Sequence, residues 1–183
     1  MSVKTTVLAV VGSKSSGKTA TIEILTKELT KKGYRVAAVK HIAEPDFTID
    51  REGKDTWRFA QSGARTVVAV ATSKVAIIEK IDRSAISLEK ILQACGDNDA
   101  ILLEGFKELV GRNLDIPKIV ATKSAQEAFE ASRNFKPILA FTSLYPMKVP
   151  NLDVPCIDVM KNREKIVDIV EKNVREQKNN NQN

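Results

Sequence analysis

The 183-residue chain is poor in the residues that build secreted scaffolds and metal centres. It carries two cysteines, Cys95 and Cys156, with no C-x-x-C pair, and one histidine, His41. Those counts exclude a disulfide framework and a zinc signature, and a cytoplasmic setting is the simplest expectation. No apolar run approaches the ~20 residues of a membrane-spanning helix, so no membrane partner is expected. Val7–Val11 runs straight into a glycine loop, which is not how the apolar segment of a signal peptide ends. Aromatics are only 5% of residues, and no basic stretch is interleaved with stacking rings. Despite a net charge of +6, nucleic acid is therefore not expected as a partner. No internal repeat is visible.

What is present is an ordinary globular composition, 43% apolar and 28% charged. It fits one domain over residues 1–176, followed by a polar, amide-rich tail at 177–183 expected to be disordered. Strand-like and helix-like runs alternate. Thr5–Val11 reads as a buried strand, Thr19–Lys32 as a helix with Ile22, Leu25 and Leu29 on one face, and Arg35–Lys40 as a second strand. His41–Arg65 is a long polar connection, with Asp55–Ser62 a short helix inside it. Thr66–Thr72 and Lys74–Ile81 predict a hairpin added to the sheet. Ser84–Cys95, Ala125–Ser132 and Met160–Glu176 predict helices; Asp99–Leu103, Ile116–Ala121 and Pro137–Phe141 predict strands. This alternation predicts an α/β fold, a mostly parallel sheet flanked by helices.

Gly12-Ser-Lys-Ser-Ser-Gly-Lys-Thr19 fits the P-loop pattern of a P-loop NTPase, and it lies between a strand and an amphipathic helix, where such a loop functions. Gly12 and Gly17 let the main chain close on phosphate. The N–H groups from Lys14 through Ser15, Ser16, Gly17 and Lys18 to Thr19 can converge on its oxygens. Lys18 is placed to reach the β- and γ-phosphates, and Thr19 to ligate Mg²⁺. Glu104, closing the apolar run Ala100–Leu103, is the expected strand-end carboxylate for the metal, with Asp99 at the other end less well placed. Asp50 and Asp55, in the long connection, are further metal candidates, preferred over Asp46. Lys40 or His41, at the end of the second strand, can contact the ligand or face water. For catalysis the candidates are Lys14 and Asp50; Gln61 and Gln93 are isolated, so no residue is clearly set to orient water. The nearest approach to a guanine-reading motif is Thr122-Lys123-Ser124-Ala125, which lacks the aspartate. Phe141–Ser143 and Asp158 are alternative contributors.

Five segments taken in order are more specific than a P-loop alone. They are Gly12–Thr19; Lys40-His41; Asp50-Arg-Glu-Gly-Lys-Asp-Thr-Trp-Arg58 with Ser62-Gly63-Ala64; Leu103-Glu104-Gly105-Phe106-Lys107; and Pro117-Lys118-Ile119. This series resembles the MobB family, the molybdopterin-guanine dinucleotide biosynthesis proteins, over roughly residues 3–145. The resemblance implies a P-loop fold of the class that includes nickel-insertion and signal-recognition GTPases. It implies GTP and Mg²⁺ as ligands, slow hydrolysis and a homodimer. It also implies a role beside a guanylyltransferase that joins GMP to molybdopterin, giving a molybdenum or tungsten cofactor. By position, Gly17, Lys18 and Thr19 match the phosphate and metal residues, Glu104 matches the strand-end acid, and Asp50 and Asp55 lie in the segment bordering the γ-phosphate. Two positions depart from the pattern: Glu44 stands where many members have a second histidine, and Thr122-Lys123 where many have an arginine. The competing readings are a small-molecule kinase, with Arg51, Arg58, Arg65 or Arg112 as lid cations, and a nucleotide-stabilised metallochaperone.

Overall fold

The computed structural model describes residues 5–44, 47–82, 86–150 and 152–179. Pro45, Asp46 and Ser84, and residues 180–183 of the expected tail, lie outside them. The chain divides into two compact units, Met1–His41 with Ile91–Asn183, and Ile42–Lys90.

The first unit is built on a six-stranded sheet. Its strands are β1 (Thr6–Gly12), β2 (Val36–Lys40), β5 (Ala100–Glu104), β6 (Lys118–Ala121), β7 (Ile138–Ser143) and β8 (Cys156–Asp158). They lie in the order β2-β5-β1-β6-β7-β8, and every neighbouring pair is parallel. β5 and β6 are buried at every position and β1 at all but two, because a parallel sheet is covered on both faces. Leu8, Val10, Leu102, Ile119 and Ile157 share one core cluster with Leu25 and Leu29 of α1 (Lys18–Lys31) and with Ile166, Val170 and Val174 of α6 (Arg163–Asn179). β8 is three residues long, too short to stand out as an apolar run. α6 continues to Asn179, three residues past the boundary read from the sequence. Short helices α4 (Lys107–Val110) and α5 (Ala125–Asn134) follow β5 and β6.

The chain runs from β1 to β2 and β5 on one side, then to β6, β7 and β8 on the other. The order therefore reverses at β1, and the carboxyl ends of strands flanking such a switch point form a ligand crevice. The P-loop leaves β1 at that place.

The second unit contains α2 (Asp55–Gln61) and the strands β3 (Thr66–Ala71) and β4 (Lys74–Glu79); α3 (Leu88–Ala94) follows at its boundary. β3 and β4 pair antiparallel, from Thr66 opposite Glu79 to Ala71 opposite Lys74. The hairpin is present as expected, but it forms a two-stranded sheet of its own and is not added to the main sheet. A short turn satisfies both strands locally. Along one face, Val68 opposes Ile77 and Val70 opposes Val75, all four more than half exposed.

Candidate nucleotide-binding site

The P-loop spans the end of β1 and the first turn of α1. Gly12 lies opposite Ala121 of β6, so close that a Cβ there would fall 2.1 Å from the Ala121 carbonyl oxygen and 2.6 Å from Ser16 Oγ. At Gly17, φ is +97°, and a Cβ would meet the Leu144 side chain at 2.9 Å. Ser15 also takes a left-handed conformation, with φ +58°. Successive left-handed turns of this kind aim backbone N–H groups into one concavity, which suits an anion. The helix that follows has no side-chain cap and no acidic residue in its first turn. Helix starts normally recruit a Ser, Thr or Asp side chain to their free N–H groups; here the groups and the positive end of the helix dipole stay available. Ser16 Oγ is buried with no partner among the described residues, a polar atom facing the inside of the loop.

Lys18 curls back over the loop, its Nζ donating to the Ser13 carbonyl at 2.7 Å. Burial pushes its pKa down; Glu104 pulls it back up, while Lys107, Lys40 and Lys123 press it down further. Three further ammonium groups therefore crowd Lys18, with Glu104 as its countercharge. A polyanion is the ligand that relieves such crowding.

Glu104 ends β5 with its Cα opposite Val10 of β1 on one side and Lys40 of β2 on the other. It is 8% exposed. Its two oxygens each accept from Thr19 Oγ1 at 3.2 Å, and Oε1 lies 3.2 Å from Lys40 Nζ. The two oxygen donors expected to share Mg²⁺ thus lie side by side, as a hard cation with oxygen ligands requires. His41 follows, its N–H donating to the Glu104 carbonyl at 3.0 Å and its ring 5.2 Å from that of Phe106. Of the pair Lys40-His41, the lysine reaches the carboxylate. Asp99, at the foot of β5, accepts from the Arg35 backbone N–H at 2.8 Å.

Asp50 and Asp55 belong to the second unit. Asp50 Oδ1 accepts from the Arg51 N–H and from Thr56 Oγ1, both at 2.9 Å, and its Oδ2 is buried without a partner among the described residues. Asp55 opens α2 and pairs at 3.7 Å with Arg58 on the surface. Lys14 is exposed.

Glu127 and Leu144 escape a linear reading. Glu127, in the first turn of α5, accepts from Ser13 Oγ at 3.3 Å and from the Lys123 N–H at 3.0 Å. That backbone contact is the main reason its carboxyl sits below the usual range. Lys107, at the end of the Glu-Gly-Phe-Lys segment, is one of the cations acting on Lys18. Leu144, beyond β7, rests on Gly17, and Thr142 Oγ1 meets Thr21 Oγ1 of α1 at 3.2 Å. Only contact between segments distant in sequence reveals Glu127 and Leu144.

A parallel sheet with this loop at its switch point is a P-loop NTPase fold. The family profile described as molybdopterin guanine dinucleotide synthesis protein B matches residues 7–143. A molybdopterin-guanine dinucleotide biosynthesis adapter protein of Haemophilus influenzae is 31% identical over 149 residues, 78% of this chain and 76% of the relative. A longer protein of Methanocaldococcus jannaschii, whose name assigns it provisionally to the same adapter role, is 41% identical over 120 residues. That match takes in 64% of this chain and 47% of the relative, so the chain spans about half of that protein's length. A crystal structure of molybdopterin-guanine biosynthesis protein B superposes with a TM-score of 0.70 at 26% identity, covering 92% of this chain and 99% of that one. The Bacillus subtilis MobB structure, at 20% identity, shares the fold with a TM-score of 0.71 over 92% of this chain and 97% of its own. The chain belongs to the MobB family.

Proposed function

We propose that this chain is a GTP-binding adapter in molybdenum or tungsten cofactor biosynthesis, assisting a guanylyltransferase that attaches GMP to molybdopterin, with weak Mg²⁺-dependent hydrolysis. The observation that carries the nucleotide part is the pairing of Thr19 with buried Glu104 beneath an uncapped helix start ringed by lysines. Backbone N–H groups from Lys14 to Thr19 hold the phosphates in place, and Lys18, released from the Ser13 carbonyl, bonds their outer oxygens. Thr19 and Glu104 would hold Mg²⁺, which would supply charge neutralisation to the phosphates. Lys40 then turns from Glu104 toward phosphate, since its side chain is more than half exposed and free to move. Lys14 and Asp50 remain the candidates for hydrolysis, and Asp50 and Asp55 the further metal candidates. A homodimer fits the apolar face of the hairpin, whose Val68, Val70, Val75 and Ile77 a second copy can cover. The family names support the adapter role and its molybdopterin partner.

Calorimetric titration with GTP and ATP, with and without Mg²⁺, tests the reading on wild type, Lys18→Ala and Glu104→Ala. Lys18→Ala is expected to lose triphosphate affinity by about ten- to hundred-fold, as for a charge-assisted contact. Glu104→Ala is expected to lose the Mg²⁺ dependence. Equal affinity for ATP and GTP refutes the guanine assignment, and unchanged Mg²⁺ dependence in Glu104→Ala moves the metal elsewhere.

A further inference from the structure

Asp158 ends β8 and is 7% exposed. Its Oδ1 accepts from the backbone N–H groups of Met160 at 3.0 Å and Lys161 at 3.3 Å, which fixes the carboxylate plane. Its Oδ2 is buried and has no partner among the described residues. A buried carboxylate oxygen without a donor costs about 1–3 kcal/mol or more, so such an atom calls for a donor. The donor has a direction. Strands β1, β6, β7 and β8 are successive neighbours, which places the end of β8 three strand spacings, roughly 14 Å, from the P-loop strand. That is about the reach of a nucleotide from its phosphates to the far edge of its base. The opposite side of β1 is already taken by Glu104 and Lys40, the metal and γ-phosphate side. The base therefore extends over β7 and β8, past Leu144, which rests on Gly17.

Resting on the reading of this site as a GTP site, we propose that Asp158 is the residue that reads guanine, its Oδ2 accepting from the ring N1–H and the 2-amino group. The aspartate missing from Thr122-Lys123-Ser124-Ala125 is thus supplied two strands away. Glu127, the other acid near that loop, is a poorer reader because it is held on Ser13, at the phosphate end. Leu144 and Tyr145, which follow β7, and Met160, which follows β8, are 40%, 47% and 61% exposed and are the side chains a ring would displace on entering. Adenine has no donor pair at that edge and leaves Oδ2 unsatisfied.

The test is calorimetric titration of the full chain in Mg²⁺ with GTP, ITP, XTP and ATP, on wild type, Asp158→Asn and Asp158→Glu. Asp158→Asn retains a carbonyl oxygen for the Met160 and Lys161 N–H groups, so its amide NH₂ takes the place of Oδ2. The acceptor becomes a donor, which repels the guanine 2-amino group and suits the xanthine 2-oxygen. Wild type is expected to bind GTP better than ITP, which lacks the 2-amino group. Asp158→Asn is expected to lose GTP affinity by about five- to hundred-fold while gaining XTP affinity. A gain for XTP cannot come from partial unfolding, and Asp158→Glu, which keeps the charge but moves the acceptor, is expected to weaken GTP without gaining XTP. An unchanged GTP, ITP and XTP ranking in both variants overturns the assignment while leaving the GTP site standing. Equal wild-type affinity for GTP and ATP overturns both.

Discussion

Gly12→Ala is the sharpest perturbation of the phosphate cradle, because the structure fixes where the added methyl must go. Its Cβ falls 2.1 Å from the Ala121 carbonyl oxygen and 3.1 Å from the carbonyl carbon, both backbone atoms of the neighbouring strand. Neither can rotate away as a side chain can, so β1 and β6 must part at the point where the P-loop begins. Ser16 Oγ, at 2.6 Å, is displaced as well, and it lies inside the loop. Overpacking of this kind costs about 1–3 kcal/mol. In a chain of this length that is a fall of roughly 2–12 °C in melting temperature. Gly33→Ala, in the turn after α1, is the control. Its φ of +87° imposes strain of about 1–2 kcal/mol, but an added methyl meets nothing within 4 Å. Differential scanning calorimetry and triphosphate titration on both variants separate the two effects. Both variants are expected to melt lower, but only Gly12→Ala is expected to lose triphosphate affinity. A Gly12→Ala protein that melts with the wild type and binds triphosphate equally well would show that the cradle does not close against β6.

Two further predictions concern the scaffold. Glu171 accepts from Lys32 Nζ at 2.5 Å, Arg175 Nη2 at 2.6 Å and Tyr34 Oη at 3.1 Å, and the Lys32 contact leads in pulling its pKa down from 4.5 to about 2. A carboxyl depressed in the folded state stabilises it above its unfolded pKa. This contribution is therefore expected to be complete above about pH 4.5 and to be lost as pH falls toward 2, and Glu171→Gln should flatten the acid limb of a stability–pH curve. Lys118 is fully buried, its Nζ donating to the carbonyls of Asn113 and, at 2.7 Å, Lys136. Lys118→Met leaves both acceptors unpaired but also removes a buried charge, for an expected net loss of about 1–3 kcal/mol in denaturant titration.

How far the sequence could be read follows from how each part is encoded. The phosphate end is contiguous: eight residues carry the glycines, the lysine and the threonine, and the strand and helix around them are signalled by local periodicity. The place of Glu104 beside Thr19 was legible because the acid ends an apolar run and is followed at once by glycine. The base end is not contiguous. It is assembled from the ends of β7 and β8, and β8 is three residues long with no periodicity to betray it. Asp158 could be suspected from sequence, but only its buried, unpaired oxygen distinguishes it from other strand-end acids. The hairpin was legible as a hairpin, whereas its separation from the main sheet was not, because local alternation specifies a partner strand and says nothing of a third.

Glu104 and Lys118 both lie in segments that carry the family resemblance, and they stand one residue apart in level across β1, opposite Val10 and Ala9 respectively. Glu104 closes β5 at the crest, whereas Lys118 opens β6, three residues and about 10 Å below the Ala121 that touches the P-loop. Its side chain is fully buried and its ammonium is taken up by backbone carbonyls, so it is not offered to a ligand. What it does is tie the segments that lead into β6 and β7, through the carbonyls of Asn113 and Lys136. Burial pushes its pKa down, the mark of an ammonium held in the interior for its hydrogen bonds. Those bonds bear on the register of β6 against β1, which sets the distance between Ala121 and Gly12 and so the shape of the cradle. Segments that carry a family resemblance can therefore combine residues of the candidate site with residues that fix the strands presenting them, and the hydrogen-bond partners tell the two apart.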